Sequence, residues 1–182
     1  MNKGKNFIKI KKKGGCKLAK HILSVLVENH PGVLSRVSGL FSRRGFNIDS
    51  LAVGITEDDN VSRMTIVVDG DDYVVEQVSK QLNKLIDVIK IKQLDKGDSV
   101  SRELALIKVC ADANSRSEII QIVEIFRGKI VDVSKNTLTV EISGPVEKIQ
   151  ALEDMVRPFG IKETVRTGTI AIERGNRCMD LK

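Results

Sequence analysis

The sequence predicts an α+β protein built from two βαββαβ units, and three observations carry that prediction. Strand and helix hydrophobic periods alternate in the same order twice along the chain. A short polar segment, Asp95-Lys96-Gly97-Asp98-Ser99, separates the two runs. The first helix of each run ends on an Arg-Gly pair, at Arg44-Gly45 and again at Arg127-Gly128. With 182 residues the chain can build both cores without a metal or disulfide staple.

Each element follows from its own pattern. Ile22 to Glu28 is β-branched and apolar and reads as a buried strand. Asn29-His30-Pro31-Gly32 is a turn, with Pro31 suited to the first helical position because its missing N–H is not needed there. Val33, Val37, Leu40 and Phe41, joined by Leu34, share one helix face, and Arg43-Arg44-Gly45 supplies cations and then glycine at its end. Phe46 to Ile55 reads as a strand and Glu57-Asp58-Asp59-Asn60 as a turn. The next strand alternates, with Ser62, Met64, Ile66 and Val68 on one side and Arg63, Thr65 and Val67 on the other. Asp69-Gly70-Asp71-Asp72 opens a helix whose stripe is Val74, Val75, Val78, Leu82 and Leu85, and Val88 to Leu94 closes the unit.

The second run repeats this order. Leu104 to Cys110 is a strand, and Ile119, Ile122, Val123 and Phe126 fall at i, i+3, i+4 and i+7 of a helix. Lys129 to Val133 is a strand, and Leu138, Val140 and Ile142 are the inward side of the next. Val146, Ile149, Leu152 and Val156 give the fourth helix, and Ile161 to Ile172 holds a final strand or strand pair. This order is the ferredoxin-like arrangement, with helices on one face of each sheet and the other face and edges open for pairing.

Composition narrows the function classes. Hydrophobic residues at 41% and charged residues at 30% describe a globular chain, and no apolar run nears the ~18 residues of a membrane span. Cys16, Cys110 and Cys178 are odd in number and far apart, and no signal-peptide core precedes the first strand, so the expected location is a reducing, cytoplasmic one. The net charge of +6 invites a nucleic-acid reading. Eight of the 30 basic residues, however, are lysines within residues 1–20, which hold no acid, leaving 22 basic against 24 acidic residues elsewhere. The excess belongs to a Lys-rich extension, expected to be flexible, and five Phe, one Tyr and no Trp supply a poor base-stacking platform.

Catalytic constellations are absent from the pattern. The two histidines, His21 and His30, make no HExxH, and no CxxC, GxSxG, GxxxxGK[ST] or GxGxxG occurs. No metal site and no catalytic residue is therefore expected. One segment does carry chemistry. The turn Asn29-His30-Pro31-Gly32-Val33-Leu34 places free backbone N–H groups at a helix start, an anion site that Gly32 leaves open to close approach, and Asn29 could hold an ammonium group. On residue chemistry alone a second reading stands beside it, in which Asn29 caps the turn and Gly32 shapes it.

These residues also carry a family resemblance. Ser24-Val25-Leu26-Val27-Glu28-Asn29, followed by Pro31-Gly32-Val33-Leu34-Ser35-Arg36-Val37, resembles the opening of an ACT domain. The continuation through Gly39-Leu40-Phe41, Arg43 to Leu51, Ser62 to Ile66, Gln81 to Leu85 and Glu124 to Asp132 resembles the small, regulatory subunits of acetolactate (acetohydroxyacid) synthase, over about residues 21–174. The resemblance implies a domain plan: a Lys-rich extension over residues 1–20, which the family pattern does not explain, and an N-terminal ACT domain over 21–95. A linker at 96–100, a C-terminal ACT-like domain over 101–174 and a tail at 175–182 complete it.

It further implies a homodimer through the N-terminal domains, with branched-chain amino acids (valine chiefly, beside leucine or isoleucine) bound between them. The effector carboxylate would meet amides around Gly32, Val33 and Leu34, with Asn29 on its polar atoms and Asn47 and Ile48 supplied by the partner chain. Asn47 as a turn residue and Ile48 as core are the alternative readings. The chain itself would hold no cofactor and catalyse nothing. A large catalytic subunit would carry thiamine diphosphate, Mg²⁺ and FAD, and this chain would raise its activity and withdraw it when valine binds. Two other functions fit the residues less well: a free-standing amino-acid sensor and a nucleic-acid-binding protein acting through the basic extension.

Overall fold

The computed structural model describes residues 19–180. The first unit comprises β1 (Ala19–Glu28), α1 (Val33–Arg44), β2 (Ile48–Ile55), β3 (Val61–Gly70), α2 (Asp72–Leu82) and β4 (Val88–Leu94). The second comprises β5 (Ser99–Cys110), α3 (Arg116–Ile125), β6 (Lys129–Val133), β7 (Thr137–Gly144) and α4 (Val146–Val156), then a 3-10 turn at Arg157–Phe159, β8 (Ile161–Arg166) and β9 (Ile170–Glu173). The sheets run β2-β3-β1-β4 and β6-β7-β5-β8, all antiparallel, while β9 pairs with residues 99–102 at the start of β5.

The alternating strands make the cores that their periods predict. Leu23, Val25 and Val27 of β1 and Met64, Ile66 and Val68 of β3 face Val37, Leu40 and Phe41 of α1 and Val75, Val78 and Leu82 of α2. In the second unit Ala105, Ile107 and Val109 of β5 and Leu138, Val140 and Ile142 of β7 face Ile119 and Val123 of α3 and Ile149 and Leu152 of α4. A two-unit α+β protein with helices on one face of each sheet is thus observed.

The details depart from the sequence expectation in instructive places. Pro31 is not the first helical residue: Gly32, at φ +92°, is the N-cap and the helix starts at Val33. The second strand starts at Ile48 and not at Phe46. The N–H of Phe46 donates to Phe41 O (3.0 Å) and that of Gly45 to Ser42 O (3.2 Å), a Schellman closure that keeps both residues on the helix end. The two Arg-Gly endings also differ. Gly45 takes the left-handed conformation itself (φ +70°), whereas in the second unit Arg127 does so (φ +53°). Gly128 is needed there for close approach, because a Cβ would lie 3.1 Å from Val123 Cγ1 and 3.2 Å from the Glu141 carbonyl.

The larger departure concerns the helix-free face of the first sheet. It is not left open: Ile22, Val67 and Leu94 pack against Ala171 of β9, and Leu26 and Val61 against Met179. Lys92 pairs with Glu173 (2.7 Å), and Lys90 donates to the Asp180 carbonyl (2.9 Å). Residues 175–180, read as a tail, therefore pack on the first unit. Ser99 and Val100, read as linker, are strand residues because β9 pairs with them. At the other end of the chain, Ala19 and Lys20 belong to β1, with Lys20 Nζ 2.9 Å from Asp49 Oδ2, while residues 1–18 of the Lys-rich extension lie outside the described residues.

Met179→Ala removes the side chain that covers Leu26 and Val61. We expect a loss of about 2 kcal/mol, the low end for a buried Met-to-Ala change because the terminal segment can yield. Urea unfolding of the two proteins measures it, and equal midpoints at equal slopes refute the packing role.

Candidate functional site

The turn between β1 and α1 is held from three sides. The N–H of Asn29 donates to Asn60 O (2.7 Å), its Nδ2 donates to Asp59 O (2.8 Å), and Ser62 Oγ donates to its Oδ1 (3.0 Å). An asparagine side chain has two N–H donors and two carbonyl lone pairs. One of each is committed here, so Asn29 is fixed in place with one donor and one acceptor to spare.

Below the turn sits Asp87, buried and just before β4. Its carboxylate receives Arg36 Nη1 at 2.7 and 2.6 Å, and its backbone carbonyl accepts from the N–H of Glu28 (2.9 Å). His30 Nε2 lies 3.2 Å from Asp87 Oδ1 and 3.2 Å from Glu28 Oε2. Hydrogen bonding from the Arg36 guanidinium holds the Asp87 carboxyl below the usual carboxylate range, with its charge and that of His30 acting in the same sense. Glu28, His30 and Asp87 place potential ligand atoms within 4.8 Å of one another. Arg36 nevertheless occupies both Asp87 oxygens, so the group is an ion-pair clamp rather than a cation cage.

The clamp leaves the helix start open. The first intrahelical bond runs from Arg36 N to Gly32 O (3.0 Å), so the N–H groups of Val33, Leu34 and Ser35 have no partner within the helix. No side chain caps α1 and its first turn holds no acid, in contrast to α2, where Asp71 accepts from Val74 N. A Cβ built on Gly32 meets nothing within 4 Å. Such a terminus, with its partial positive charge, favours a carboxylate.

The six residues singled out from the sequence fall into two groups. Asn29, Gly32, Val33 and Leu34 share the turn; Val33 is core and offers only its backbone, while Leu34 is 45% exposed. Asn47 and Ile48 lie beyond the opposite end of the 12-residue α1, about 18 Å away along the helix axis. There Asn47 Nδ2 donates to Asp49 Oδ1 (3.0 Å) and Ile48 packs on the first core. One chain does not bring the two groups together. Arg36, Asp87 and Ser62 escaped sequence reasoning, since Asp87 stands 51 residues from Arg36 and no spacing rule links them. A cleft of about 750 Å³ lies elsewhere, between the two units. Of its charges, Lys20 pairs with Asp49 and Arg166 with Glu153 (2.6 Å) and, at 3.9 Å, Glu103.

Known proteins match most of the chain. Residues 23–90 match the model of the AHAS small subunit-like ACT domain, and residues 102–175 match that of the small subunit of acetolactate synthase. The chain belongs to the acetolactate synthase small-subunit family. The acetolactate synthase small subunit of Mycolicibacterium smegmatis is 59% identical over 157 residues, 86% of this chain and 92% of that protein. That of Mycobacterium leprae is 55% identical over 160 residues, 88% of this chain and 95% of its own. The crystal structure of the acetolactate synthase small subunit from Thermotoga maritima superposes with a TM-score of 0.82 at 44% identity, covering 88% of this chain and all of that one. Membership in this family makes the chain a regulatory small subunit with an ACT domain, consistent with its lack of a catalytic constellation. No helix among the described residues is long and apolar enough to cross a membrane.

The lowered pKa of Asp87 sets a pH dependence. Its carboxylate is stabilised in the folded state, so that contribution is complete above the ordinary carboxylate range and is lost as pH falls through the lowered value. Asp87→Asn should therefore be less stable than wild type near neutral pH, with the gap narrowing in acid. Urea unfolding across that range checks it, and a gap that is independent of pH overturns the assignment.

Proposed function

We propose that this chain acts as a homodimeric, non-catalytic regulator that binds the acetolactate synthase large subunit, raises its activity, and withdraws that activity when valine binds. The observation that carries the reading is the α1 start: three amides without helical partners beyond Gly32, beside an Asn29 fixed with hydrogen-bonding capacity to spare. The amides suit an effector carboxylate and Asn29 suits the polar atoms around its α-carbon. Leu34, exposed next to them, suits an aliphatic side chain. Thiamine diphosphate, Mg²⁺ and FAD belong to the large subunit on this reading.

The edge strands support the dimer. β4 carries Lys90 and Lys92, which protect an edge, but β2 has no lysine and exposes Val53 (46%) and Ile55 (62%). β2 pairs with β3 on one side only. Pairing β2 with the β2 of a second copy about a twofold sets the start of one strand, at Asn47 and Ile48, beside the end of the other, at Ile55. Ile55 pairs with Ser62, whose hydroxyl holds Asn29. The two halves of the site, apart in one chain, meet across that seam. Valine controls activity only if it binds the inhibited arrangement more tightly than the active one.

Reconstitution tests the proposal. The chain alone, given thiamine diphosphate and Mg²⁺, should form no acetolactate, while adding it to the large subunit should raise the rate, and valine should lower it again. Acetolactate formed by the chain alone refutes the non-catalytic role.

Gly32→Asp tests the site. The substitution meets no neighbour, and the backbone strain at φ +92° is shared by an asparagine control, so the difference between the two is electrostatic: like charges about 4 Å apart repel by roughly 4 kcal/mol at an effective dielectric near 20. At about 1.4 kcal/mol per tenfold, valine should bind at least about a hundredfold more weakly while activation persists. Alanine is a poor control at φ +92°, where a Cβ is strained, whereas asparagine tolerates that region and matches aspartate in shape. Gly32→Asn should therefore lose much less. Calorimetric titration with valine separates the two, and unchanged binding by Gly32→Asp places the effector elsewhere.

A further inference from the structure

Between the outer face of β2 and the strand pair of β9 with the start of β5 runs a groove of about 390 Å³. Ala52 and Gly54 form one side and Val100, Ile170 and Ile172 the other. Ile170 and Ile172 are each 56% exposed, and β9 pairs with β5 alone, so its second edge is open. The charged side chains lining this groove are Arg63 and Arg102, and no carboxylate joins them. Arg63 is half-buried, yet its guanidinium makes no hydrogen bond or ion pair among the described residues. Arg102 is exposed and donates only to the neighbouring Ser101 carbonyl (2.7 Å).

An apolar trough with guanidinium groups and no acid has a defined complement. A free amino acid fits poorly, because no carboxylate in the lining meets its ammonium group. A second copy of the same patch fits poorly too, because a twofold contact sets like charges against each other. What fits is a polypeptide segment with apolar side chains and carboxylates, the pairing in which buried aliphatic anchors give affinity and arginines give orientation and rate. β2 pairing between copies uses that strand's backbone and leaves its outer face, Ala52 and Gly54, free for such a segment.

We propose that this groove docks an acidic, apolar segment of the catalytic large subunit. The inference rests on the activating role proposed above and adds the surface through which it acts. Arg102→Glu combined with Ile172→Asp changes two exposed positions away from the α1 turn, and Arg63→Gln removes the half-buried charge alone. Binding to immobilised large subunit and the midpoint of the activation curve are measured for each, with valine titration and solution mass as controls. The double variant should bind the large subunit about tenfold or more weakly with valine affinity and dimer mass unchanged, and Arg63→Gln should lose a smaller factor. Wild-type binding should also weaken with added salt, more steeply than that of the double variant. A double variant that binds and activates like wild type overturns the groove alone. One that becomes monomeric assigns the groove to a second copy and likewise overturns it. Wild type that neither binds nor activates the large subunit overturns the regulatory role and the groove with it.

Discussion

Six consecutive residues of β1, Ile22 to Val27, are buried, although alternate side chains of a strand point to opposite faces. A sheet with that strand near its centre must be covered twice. The helices α1 and α2 cover one face, as a βαββαβ unit allows. The other is covered by Ala171 and Met179, from the far end of the chain. Burial at about 25 cal/mol per Å² of apolar surface makes this second cover a substantial contribution. It also joins the units: Lys92 with Glu173, and Ser50 Oγ accepting from Thr169 N at 2.9 Å, fasten the second unit to the first. The cleft between the units and the arginine-rimmed groove both lie along this junction.

The order of elements was legible because each depends on neighbours in sequence. Stripes such as Val75, Val78 and Leu82 or Ile119 and Val123 declare a helix by their period, and the Met64-Ile66-Val68 alternation declares a strand. What was not legible depended on remote partners. Thr65 and Val67 lie on the side of their strand that the unit's own helices do not cover, and they are buried because segments about 100 residues away lie over that face. Ser99 reads as linker until β9 is there to pair with it. Arg-Gly marked both helix ends correctly, but the left-handed residue shifted by one position, since the packing of Gly128 against Val123 and Glu141 outranked the usual preference for glycine at positive φ.

The candidate site divides in the same way. Gly32 and Asn29 could be found because a helix start advertises itself in a short window. The Asp87 clamp could not, since it ties α1 to β4 and the end of β1 through contacts that no periodicity records. Asn47 and Ile48 were reached through the family resemblance alone. Within one protomer they stand at the wrong end of α1, and their part in a site depends on a symmetry that a single chain does not contain.

The second cover also has a consequence in time. Leu26 and Val61 precede Met179, which shields them, by more than 100 residues. At roughly 5–20 residues per second, the first unit spends on the order of ten seconds with an apolar face wet while the rest is made. Contacts this distant in sequence are also slow to close. The unit made before its neighbour is thus completed after it, and its unfinished state, with a greasy sheet and the unguarded β2 edge exposed together, is a form of this protein that a chaperone would serve.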